Sequence, residues 1–107
     1  MKIGILLTTS PESQNSEIVL KLASAILDKG QGVEVFFMDD GVYNVMRGNS
    51  ISPRFEGILK KGAGLALCGH TAEIRGLEKG DCLEGVKYAG QYELSCIVAE
   101  ADRFLMF

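Results

Sequence analysis

The 107-residue chain has no tryptophan, one histidine, two prolines and three cysteines. Without tryptophan, the aromatic platforms that usually flank a flavin ring are scarce, and no organic cofactor is expected. One histidine and no closely spaced cysteine pair leave no zinc-ligand pattern, so no metal is expected either. Positive charge is also in short supply. Eleven Lys and Arg stand against 14 Asp and Glu, a net charge of -3, which offers no surplus to neutralise a phosphate backbone and argues against direct nucleic-acid binding. Long apolar runs are missing as well. The opening residues Met1 to Ser10 carry one lysine and then a short stretch of isoleucine and leucine, which reads as a first strand, with no signal peptide and no membrane span. An odd number of cysteines in a chain that is 47% hydrophobic points to thiols in a reducing compartment rather than to a disulfide framework. A cytoplasmic location is the expectation.

What is present fits one domain over residues 1–107, long enough for one hydrophobic core and too short for two. Lys2 to Leu7 is a continuous apolar run, the pattern of a parallel strand covered on both faces. Thr8 to Asn15 is a polar loop containing Pro11. From Glu17, the residues Ile18, Val19, Leu22, Ala23, Ile26 and Leu27 recur at helical spacing, and Gly30 stands where a helix ends. Val33 to Met38 reads as a second strand, stopped by Asp39, Asp40 and Gly41. Phe55 to Lys61 reads as a second helix, Ala63 to Cys68 as a third strand, and His70 to Leu77 as a short helix. Glu78 to Gly85 reads as a charged loop, Tyr88 to Ala99 as a last helix, and Arg103 to Phe107 as a final strand. This alternation predicts an α/β fold of flavodoxin-like type, a three-layer sandwich with a mostly parallel sheet and helices on both faces.

In open parallel sheets, reactive groups collect beyond the carboxyl ends of the strands. There the pattern brings together the Thr8 to Asn15 loop, the Asp39 to Asn44 turn and Cys68. Cys68 alone carries nucleophilic chemistry. At a strand-to-helix junction, free backbone N–H groups and the helix dipole favour its thiolate. The competing reading is that of a small hydrophobe filling a strand end. His70 is a candidate neighbouring base, whereas Arg75 lies far down the helix unless the chain folds back. Cys82, in the charged loop, reads as an exposed and secondary thiol, and Cys96 as a packed one. The hydroxyls of Thr8, Thr9 and Ser10 are compatible with a flavin or nucleotide phosphate site. Helix capping by Ser10, Ser13 or Asn15 is the simpler account. Asp39 and Asp40 read as solvated turn formers.

Four segments, taken in order, carry a resemblance: Lys2 to Thr8; Phe36 to Asn44, with its Gly41-Val42-Tyr43-Asn44 turn; Leu67 to Gly76, with Cys68 and Arg75; and Ala101 to Phe107. Together they span nearly the whole chain, which resembles the DsrE/TusD-like sulfur-relay family. The resemblance implies that Cys68 accepts sulfane sulfur as a persulfide and passes it from a donor protein to an acceptor thiol. It also implies that Tyr43 and Asn44 wall the pocket around Cys68. Assembly of related chains follows as well, so a homo-oligomer is expected, with Tyr88 and Tyr92 as candidate interface residues. The alternatives are a nonenzymatic subunit of the same family and a flavin- or nucleotide-binding module.

Overall fold

The computed structural model describes residues 1–107. Strand β1, Lys2–Leu7, is buried along nearly its whole length, and its alternate residues serve two different cores. Helix α1, Gln14–Asp28, starts at Ser13, whose side chain accepts the Asn15 N–H at 3.1 Å. Its buried Val19, Leu20, Ala23 and Ile26 form one stripe, and the helix stops where Gly30 turns into the left-handed region at φ 76°. Strand β2, Gly32–Phe37, is followed by a 3₁₀ helix over Asp39–Val45. Then come α2, Ser52–Lys60; β3, Gly64–Cys68; α3, Gly69–Ile74; and a 3₁₀ turn at Lys79–Asp81. The chain ends with β4, Lys87–Ala89; α4, Gln91–Glu100; and β5, Arg103–Met106.

The five strands form one sheet in the order β4-β3-β2-β1-β5, and every neighbouring pair is parallel. From β1 to β4 the chain steps in one direction across the sheet, so right-handed crossovers keep α1, α2 and α3 on one face. The return from β4 to β5 runs the other way, which sends α4 to the opposite face. The two cores follow this division. On the first face, 21 buried residues pack together, among them Leu7, Val35, Phe37, Phe55 and Leu67, with Phe37 and Phe55 in edge-to-face contact at 5.2 Å. On the second face only five do so, Leu6, Phe36, Ala66, Cys68 and Ile97. The strand pleat assigns Cys68 to this thinner layer, beneath α4, and not to the side of α3, which it precedes in sequence.

Several expectations are corrected. The last helix does not begin at Tyr88: residues 87–89 extend the sheet at its edge, and α4 starts only at Gln91. A three-residue strand leaves no periodic pattern to read. The stretch after β2 is ordered as a 3₁₀ helix that buries Val42 and Val45. Cys82 is not exposed. It is 6% accessible and belongs to the larger core, because Met46 and Cys82 form an antiparallel bridge that pulls the charged loop inward. No helix is long and apolar enough to cross a membrane.

Candidate functional site around Cys68

Three carboxyl strand ends meet at Cys68. It is the last residue of β3 and the N-cap of α3. Met38 follows β2, and Ala89 ends β4, paired with Cys68 in the sheet register. Two helices start here, α3 directly after Cys68 and α4 two residues beyond Ala89. Their unpaired N–H groups make the surroundings of a buried sulfur electropositive.

The Cys68 side chain is only 3% accessible, and burial alone would push its thiol up. Hydrogen bonds outweigh that effect. The Thr71 side chain and backbone, the Gln91 side chain and the His70 backbone all stabilise the charged sulfur and hold the thiol below its ordinary value. Gln91 Nε2 donates to Cys68 Sγ at 3.6 Å and to Met38 Sδ at 3.4 Å. Gly69 has its own constraint, since a Cβ there would lie 2.5 Å from the Tyr88 ring. The Tyr88 hydroxyl donates to the Gly69 carbonyl at 3.2 Å, which fixes the first turn of α3 against β4.

Not every residue marked in the sequence reaches this site. His70 contributes its backbone N–H to the sulfur, while its ring is exposed. Arg75 does fold back, but onto Asp40, with Nε and Nη2 donating to one carboxylate oxygen at 3.1 and 3.0 Å, and it caps α3 rather than touching the thiol. Asn44 is fully buried and saturated: it accepts from Ser16 Oγ at 2.7 Å and donates to the Thr9 and Gly41 carbonyls at 3.0 and 2.9 Å. It is a clamp joining the 3₁₀ helix to the first loop. Gly41 packs its backbone directly on the Leu7 carbonyl, where a Cβ has no room. Gly41, Val42 and Asn44 of this turn are therefore scaffolding. Tyr43 lines a separate open cleft of about 1000 Å³ with Glu12, Asp40, Arg47 and Asp81. The expected pocket wall of Tyr43 and Asn44 around Cys68 is thus not what the chain builds.

The first loop makes several hydrogen bonds of its own, although the buried Thr9 Oγ1 has no partner. Thr8 Oγ1 donates to the Phe107 carbonyl at 2.9 Å, Ser16 Oγ donates to the Ser10 carbonyl at 3.2 Å, and Ser13 caps α1. Capping is thus the role of Ser13, while Thr8 ties the loop to the chain end. Cys82 sits in apolar surroundings that push its thiol up to about 11, against a smaller opposing effect of Arg47. A buried, protonated thiol is a poor secondary nucleophile.

Thr71, Gln91 and Tyr88 were not singled out around Cys68 in the sequence. Thr71 offered a signal, as a hydroxyl three residues into a helix that starts at a cysteine. Gln91 offered none, being 23 residues away.

Over residues 1–107 the chain matches the DsrE/DsrF-like family. The chain belongs to this family. An uncharacterized protein of Methanocaldococcus jannaschii is 30% identical over 114 aligned positions, covering all of both chains. A second, from Methanopyrus kandleri, is 29% identical and covers 98% of this chain and 93% of its own. Among solved structures, the YchN protein of E. coli superposes with a TM-score of 0.90 at 25% identity, covering 100% of this chain and 99% of that one. A protein of unknown function from Methanobacterium thermoautotrophicum gives 0.86 at 15% identity, over 99% and 98% of the two chains. That likeness speaks to the fold alone.

Proposed function

We propose that this DsrE-like chain acts as a single-domain sulfur-relay protein, carrying sulfane sulfur as a persulfide on Cys68 and passing it to a partner thiol. The observation that carries this reading is the placing of the thiol, at the end of β3 and the start of α3 with Gln91 Nε2 3.6 Å from its sulfur, in hydrogen bonds that favour the thiolate although it is buried. Membership of a family tied to sulfur relay supports the same reading.

The chemistry is redox-neutral. The Cys68 thiolate attacks the outer sulfur of a donor persulfide, the Cys68 Sγ–S bond forms, and the donor's S–S bond breaks with its thiolate leaving. An acceptor thiolate then attacks the outer sulfur, and Cys68 departs as a thiolate. The donors that favour the thiolate assist both steps, because a thiol of low pKa also leaves faster. His70, exposed on the first turn of α3, is in place to meet an incoming partner, whereas Asn44 and Arg75 support the scaffold. Assembly into a homo-oligomer is part of this proposal. Tyr92 and Val98 on α4 and Met106 on β5 are exposed apolar residues, Tyr92 at 77%, on the face that a single helix covers.

The test is the intact mass after incubation with a persulfide donor. The wild type gains one sulfur atom, and Cys68→Ser, close in size, keeps its fold and gains none. Loading that survives in Cys68→Ser would sink the proposal. The low accessibility of Cys68 favours one other reading, a family subunit in which this cysteine only packs, and a wild type that never loads would support it.

A further inference from the structure

The Gln91 carboxamide reaches from an exposed helix start to a buried sulfur. Gln91 is the first residue of α4, and its Nε2 donates to both Cys68 Sγ and Met38 Sδ. An amide nitrogen has two N–H groups, enough for one on each sulfur. Met38 is an uncharged, weak acceptor that keeps the amide parked over the site. Ionisation of Cys68 converts the other contact into a charge-assisted hydrogen bond, the stronger kind.

We propose that Gln91 is a second donor to Cys68, reaching it from α4, that tunes the ionisation of this sulfur and with it its readiness to react. No charged side chain competes for that task. Burial and hydrogen bonds, and no charged side chain, act on the thiol. On α4 the Glu93 carboxylate is committed to the Gly90 N–H at 3.1 Å. On β4 the Tyr88 phenol is committed to the Gly69 carbonyl, and its own proton is held more tightly by burial, by Glu73 and by the charge of Cys82 and Cys68. On α3, His70 and Glu73 are exposed, and Arg75 is turned to Asp40. In the 3₁₀ helix, Asp39 and Asp40 are exposed. The amide therefore adds, from a second element, what the first turn of α3 supplies by Thr71 and the His70 backbone. The inference rests on the sulfur-relay reading only for its effect on loading, since the thiolate can be measured by itself.

The experiment titrates the ultraviolet absorbance of the Cys68 thiolate, as the difference between each protein and the same protein carrying Cys68→Ser. Gln91→Met keeps the length and cover of the side chain and removes the donor; its midpoint should rise by about half a pH unit. Gln91→Glu puts a carboxylate beside the sulfur, and the rise should be about one pH unit or more. Both substitutions sit on an exposed helix start, where glutamate is favoured, and thermal melts check that the fold is kept. A purely structural Gln91 would leave the midpoints alone. Identical midpoints in all three proteins, with sulfur loading intact, would overturn the role of Gln91 and keep the relay. Midpoints that spread in the stated order, in a protein that never loads, would overturn the relay and keep Gln91 as the thiolate's donor.

Discussion

Cys68 and Cys82 are hidden almost equally, at 3% and 6% accessibility, yet their thiols shift in opposite directions. Both are penalised by burial. Cys68 ends a strand beneath the start of α4 and is met by donors from two helices, whereas Cys82 lies among the apolar residues of the larger core beside Leu83. Polar partners, and not access to water, thus separate the two thiols. The division follows the sheet: the thick face carries the packing and the thin face carries the candidate chemistry.

The strongest way to break the contrast is to label both thiols at neutral pH. Cys82 at about 11 lies two or more pH units above Cys68, so its thiolate fraction is lower by roughly 100-fold. Its greater intrinsic nucleophilicity recovers about tenfold of that gap. Cys68 should therefore react with a small alkylating agent more than about tenfold faster, as read by peptide mapping after a short pulse. Equal rates would mean that Cys68 is as inert as a core cysteine.

Alkaline stability sharpens the same contrast with a smaller effect. The folded chain holds the Cys82 proton up to about 11, while the unfolded chain releases it near the ordinary 9.0. Between those values the unfolded state binds fewer protons, so stability falls as pH rises. For Cys68 the sign is reversed: the folded state releases its proton first, and stability rises with pH through a window below 9.0. Denaturant unfolding should show wild type losing about 1 kcal/mol more than Cys82→Ala between pH 9 and pH 10. Parallel losses in the two proteins would show that Cys82 is not held protonated by the fold.

How much of this could be read in advance follows from which forces leave a local trace. The apolar runs of β1, β2 and β3 and the 3.6-residue period of α1 are local, and they gave the fold class, the sheet and the place of Cys68 at a strand end. Cys82 was misread because Asp81 and Glu84 flank it, while the bridge to Met46 that buries it is a pairing across 36 positions. Gln91 was invisible for the same reason, being a long-range partner on a helix whose start was hidden by β4. The family resemblance marked Tyr43 and Asn44 as a pocket wall, and their segment proved instead to be tied to the framework through Ser16, Thr9 and Leu7.

The smallest expected effect concerns Arg75 and Asp40. Their pair is bidentate from the guanidinium side, at 3.0 and 3.1 Å, but the Asp40 side chain is 61% accessible and that of Arg75 24%. An ion pair this wet contributes at most about 0.5 kcal/mol, so Asp40→Asn should barely move the unfolding midpoint. The informative measurement is the Cys68 titration in the same variant. Arg75 Nη1 also donates to the Thr71 carbonyl at 3.5 Å, which links the pair to the residue that most directly offsets the burial of the thiol. If the thiol is governed by the hydrogen bonds that touch it, releasing Arg75 from Asp40 leaves the Cys68 midpoint where it was. A midpoint that climbs in Asp40→Asn would show that the ion pair holds α3 in the register its donors need, and the contrast between the two cysteines would then reach beyond their immediate neighbours.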